Sequence, residues 1–66
     1  MKIILNGETR EVPDGHSVRD LLDELELDPG TVAVEVNREI VNRGKLGERV
    51  LRSGDTLEVL HFVGGG

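Results

Sequence analysis

The chain has 66 residues and a formal net charge of −5, which allow one small domain able to bury only about 60% of its unfolded surface. It contains no cysteine, so it has no disulfide staple, no thiolate nucleophile and no persulfide carrier, and two isolated histidines do not complete a zinc site. The acidic balance disfavours nucleic acid as a partner, and apolar runs of about three residues after Met1 point to a soluble, cytoplasmic chain with no membrane segment.

Lys2-Ile3-Ile4-Leu5, then Asn6-Gly7, then Glu8 to Val12 predict a β-hairpin, because Asn-Gly readily takes the positive φ values of a type I′ turn. Pro13-Asp14-Gly15 breaks the second strand. Ser17 follows as a helix cap with Asp20 three positions on, a variant of the capping box. Val18, Leu21, Leu22 and Leu25 recur at i, i+3, i+4 and i+7, one face of a helix, and Leu27-Asp28-Pro29-Gly30 is expected to end it. Val32, Val34 and Val36 alternate with Ala33 and Glu35 as in a half-buried strand. A turn at Asn37-Arg38-Glu39 leads to a short strand at Ile40-Val41. An irregular crossing follows, with Leu46, Val50 and Leu51 as its expected inward plugs. Arg52-Ser53-Gly54-Asp55 then turns into a last strand from Thr56 to Val63.

The order of elements predicts an α+β fold in which one helix packs across one face of a mixed four- to five-stranded sheet. Placing the first and last strands side by side and parallel in the middle buries both, with the intervening chain as crossover. This is a β-grasp arrangement, expected over residues 1–63, with residues 64–66 as a flexible glycine tail.

If Leu57 and Val59 face the helix, strand parity sends Glu58, Leu60 and Phe62 to the other face together with Lys2 and Ile4 of the first strand. Phe62 is the sole aromatic residue, and Ile4, Leu60 and Phe62 then form an apolar partner-binding patch. The competing reading tucks Phe62 into the edge of the core through a twist or bulge. Parity places His61 on the core face, in a structural or interface role, and His16 reads as turn filler. Charge is uneven: acids dominate Ser17 to Asp28, whereas Arg38, Arg43, Lys45, Arg49 and Arg52 dominate the stretch before the last strand. That asymmetry is read either as a dipole that orients the domain on a partner or as ordinary solvation.

The last three residues are Gly64-Gly65-Gly66, a carboxylate on a thread without side chains that can enter a narrow channel. The bland alternative is a frayed end or linker stub. Ile3-Ile4-Leu5-Asn6-Gly7, Val36-Asn37-Arg38-Glu39-Ile40-Val41 and the run from Asp55 to Gly66 together resemble the ThiS family, the small ubiquitin-like sulfur carriers of thiamine biosynthesis. The resemblance covers nearly the whole chain. It implies that a ThiF-like (E1-like) adenylyltransferase uses ATP and magnesium to adenylate the Gly66 carboxylate. Sulfur from a cysteine desulfurase relay then makes a thiocarboxylate, which a ThiG-like thiazole synthase consumes. Gly64 and Gly65 would thread the partners' active sites. The carrier itself would supply no catalytic residue, bind no cofactor or metal, and act as a protein co-substrate. The small subunit of molybdopterin synthase, a tRNA-thiolation carrier and a ubiquitin-like protein modifier remain alternatives, as does an interaction module without terminal chemistry.

Overall fold

The computed structural model describes residues 1–62, so Val63 and the glycine run lie outside it. Strand β1 (Lys2–Leu5) pairs antiparallel with β2 (Glu8–Glu11), Leu5 opposite Glu8. Asn6 and Gly7 between them have φ of 48° and 84°, the two positive values that a type I′ turn demands. Val12 leaves the strand one residue earlier than expected and turns into the core.

Helix α1 (Val18–Glu24) begins as the sequence predicts, with Ser17 at its cap. The Asp20 backbone N–H donates to Ser17 Oγ, and the Ser17 N–H donates to Asp20 Oδ2, both at 3.0 Å. The helix stops well before Pro29, because Glu26 takes a left-handed φ of 58°. The Glu26 N–H then donates to Asp23 O and the Leu27 N–H to Leu22 O, the paired bonds of a Schellman ending. Leu27, partly buried, packs against the core cluster that contains Leu22, in keeping with the hydrophobic contact that accompanies that motif. Pro29 opens a separate 3₁₀ turn, Pro29–Thr31, capped by Asp28.

β3 (Val32–Val36) and β4 (Glu39–Ile40) form a second hairpin, and a 3₁₀ turn at Arg43–Lys45 begins the crossing to β5 (Thr56–His61). The five strands lie in the order β2-β1-β5-β3-β4, with β1 and β5 parallel at the centre and the other pairs antiparallel. This is the mixed sheet of the predicted β-grasp. Its helix-side face (Ile3, Val34, Val36, Leu57) joins Val18, Leu21 and Leu22 of α1 in one cluster, closed at the edges by Val12, Leu46 and Leu51. Burying such an aliphatic side chain stabilises the fold by about 1.5–3 kcal/mol.

Two sequence expectations are corrected by this packing. Val50 is 47% exposed instead of plugging the crossing. It forms an antiparallel bridge with Ser17, and in extended chain successive side chains point to opposite sides, so with Leu51 inside, Val50 is outside. His61 is also exposed, although its parity matches Leu57 and Val59. Seven helical residues span about 10 Å, whereas the six residues of β5 span about 20 Å, so the strand outruns the layer that covers it. Val59 is the last β5 residue packed on the core.

Candidate functional site

Away from the helix, the sheet presents an open face. Its β5 row is Thr56, Glu58 and Leu60, with Phe62 next in chain. β1 adds Ile4 opposite Thr56; β3 adds Ala33 opposite Leu60 and Glu35 opposite Glu58; β4 adds Ile40 opposite Glu35. Ile4, Leu60 and Phe62 are 38%, 53% and 57% exposed. The Phe62 N–H donates to Thr31 O at 2.9 Å, so pairing with the segment before β3 continues one residue past the strand. Backbone pairing therefore continues through Phe62, whose exposed side chain borders a cavity at the end of the sheet with Pro29, Ala33, Ile40 and Leu46. Register places Ile4 and Leu60 on the open face, and the backbone bond to Thr31 carries the same alternation on to Phe62. Ile40, 73% exposed, extends the same apolar surface to the sheet edge. The sequence reading placed Ile40 in a short strand but gave it no side, because register across a two-residue strand is set by its partner.

Two asparagines hold the strand that carries this face, and the sequence had marked both only as turn formers. β1 ends at Leu5, which would leave the backbone of Val59 without a neighbour on that side. The Asn6 side chain fills the place of a next residue: Oδ1 accepts the Val59 N–H at 2.9 Å and Nδ2 donates to Val59 O at 3.4 Å. At the other end of β5, Asn37 Oδ1 accepts the Thr56 N–H at 3.0 Å, and the Asn37 backbone N–H donates to Thr56 O at 2.7 Å. Asn37 Nδ2 donates to the buried Asp55 carboxylate at 3.0 Å, which also accepts the Arg52 N–H at 2.9 Å and Arg49 Nη2 at 3.4 Å. Buried carboxylates need such partners, and here they lock the turn that launches β5. Asn37 and Arg38 are both left-handed, φ 52° and 70°, which makes the β3–β4 connection a second type I′ turn.

The basic stretch is partly neutralised from within, Arg49 by Asp55 and Lys45 by Glu48 at 3.9 Å. On the acidic side, His16 Nε2 lies 2.9 Å from Glu24 Oε2, so His16 ties the turn before α1 to the helix's last residue. Among the described residues no cluster of three or more His, Asp or Glu is gathered to hold a metal ion. No described helix is long and apolar enough to cross a membrane. Gly64, Gly65 and Gly66, the expected carrier terminus, lie outside the described residues.

Comparison with known proteins gives a consistent result. The sulfur carrier protein ThiS of Bacillus subtilis is 38% identical over 63 residues, 94% of this chain and 96% of that protein. A thiazole synthase of Magnetococcus marinus is 47% identical over 66 residues, and the chain spans only 20% of that longer protein. The crystal structure of the thiamine biosynthesis protein ThiS from Geobacter metallireducens superposes with a TM-score of 0.86 at 32% identity, covering 100% of both chains. The model of the ThiS family matches residues 3–66, from the first core residue of β1 through the glycine run, and the chain belongs to that family.

Proposed function

We infer that this protein is a sulfur carrier for thiazole formation in thiamine biosynthesis, with the Gly66 carboxylate as the carrying group. The observation that carries the reading is the family match running through Gly66 on a β-grasp whose last strand leads to that residue. A carboxylate is a poor electrophile. Attack of its oxygen on the α-phosphorus of ATP releases pyrophosphate and leaves an acyl adenylate, from which AMP departs readily. The terminal sulfur of a cysteine persulfide, supplied by a desulfurase relay, displaces AMP. A second thiol then takes the relay cysteine as a disulfide and frees the thiocarboxylate.

A ThiF-like enzyme performs the first of these steps with ATP and magnesium, and a thiazole synthase receives the sulfur. The match of this sequence to one fifth of a thiazole synthase supports that second partnership over a molybdopterin or tRNA pathway. The chain's own part is to present Gly64 to Gly66 and to dock through Ile4, Leu60 and Phe62. The test is the intact mass of the protein produced together with its adenylating enzyme and sulfur donor. A gain matching one oxygen replaced by sulfur on Gly66 is expected; an unmodified mass with all components supplied overturns the assignment.

A further inference from the structure

The docking face of the proposed carrier has an uncompensated charge at its centre. Glu58 of β5 and Glu35 of β3 are directly opposed. Their flanking residues Val34, Val36 and Leu57 are all buried, so both carboxylates stand on the open face. Side chains so opposed have Cβ atoms about 5 Å apart, and like charges there repel. The residues in register beside them on this face, Thr56, Ile4, Ala33, Leu60 and Ile40, carry no charge, and Lys2, which shares the exposed side of β1 with Ile4, lies level with Gly54, four residues before Glu58 in the chain. Neither glutamate takes part in an ion pair among the described residues. Glu35 and Glu58 thus put a doubly negative centre between Ile4 on one side and Leu60 and Ala33 on the other.

That charge pattern selects what can cover it. A purely apolar partner would bury two like charges unpaired. A second copy of this chain laid face to face would bring four carboxylates together. We propose that the whole open face, from Ile4 across Leu60 and Phe62 to Ala33 and Ile40, docks a protein surface that sets an arginine side chain within an apolar ring against Glu35 and Glu58. A guanidinium is planar, carries five donors and is less strongly hydrated than an ammonium, so it can span two carboxylates while the surrounding apolar contact excludes water. The glutamates then act as a filter, since the repulsion of the free carrier is relieved only by a partner that brings the cation.

This inference rests on the reading that Ile4, Leu60 and Phe62 dock the partner enzymes, and the experiment separates the two. Binding of the thiazole synthase encoded in the same genome is measured by calorimetry at low and moderate salt for the wild-type carrier, Phe62→Ala and the double variant Glu35→Gln/Glu58→Gln. Both variants are expected to weaken binding by about tenfold or more, and the double variant to flatten the salt dependence. The double variant should also melt no lower than wild type, because it removes a repulsion. If Phe62→Ala weakens binding and the double variant does not, the arginine contact is overturned and the docking face stands. If neither does, the docking face falls and the inference with it. A carrier dimer in light scattering that Phe62→Ala abolishes would also overturn the inference by giving the face to a second copy.

Discussion

Asn6 carries two functions that place different demands on a side chain. Its left-handed φ favours Gly or Asn, while its two bonds to Val59 require an amide. Asn6→Ala should therefore destabilise the fold by about 1–2 kcal/mol in urea titration, from turn strain plus two partly solvated hydrogen bonds. Asn6→Gly should cost less, because it keeps the turn and loses only the amide. Equal costs would show that the contact with β5 contributes nothing. Glu26 is the opposite case, a left-handed residue with no ion pair among the described residues. Glu26→Gly should raise stability by about 0.5–1 kcal/mol by removing Cβ strain at the helix ending, read as a higher midpoint at unchanged m-value.

At the scale of the element, α1 is too short to stand by itself and depends on its cap and its apolar stripe. Ser17→Ala should cost about 1 kcal/mol, the usual loss of a helix cap. The reciprocal bond has a pH signature. The Ser17 backbone N–H, then the Ser17 hydroxyl and more weakly the charge of His16, hold the Asp20 carboxyl below its ordinary value of 3.8. A depressed folded-state pKa contributes stability that is complete above the unfolded value and lost as pH falls through the folded one. The stability difference between wild type and Asp20→Asn should accordingly be full near neutral pH and close as pH drops below 3.8. Urea midpoints of both proteins across that range check this, and a difference that persists unchanged in acid would remove the carboxylate from the cap.

For the molecule as a whole, side-chain parity divides β5 between the core and the open face proposed for docking. Leu57 is fully buried and touches the helix layer, so Leu57→Ala should cost about 2–5 kcal/mol, a large part of the stability of a chain this small. Phe62→Ala, on the open face, should leave the melting temperature nearly unchanged while weakening the thiazole synthase complex. A stability loss for Phe62→Ala comparable with that of Leu57→Ala would place the ring in the core and remove it from the proposed docking face.

By itself, the sequence determined what depends on local chemistry and periodicity. Asn6-Gly7 forced the first hairpin, Ser17 and Asp20 fixed the start of α1, and the spacing of Val18, Leu21 and Leu22 chose its buried side. The central parallel pairing of β1 and β5 was also legible, since a helix stripe and two strongly apolar end strands bury together in few ways. Only the tertiary structure decided how far each layer reaches and which residues meet across strands. His61 is exposed because β5 outruns α1, Val50 because the bridge to Ser17 sets its side, and Glu35 faces Glu58 because the β3–β5 register brings residues far apart in sequence to one level. Those outcomes come from long-range geometry, which periodicity within a single strand does not encode.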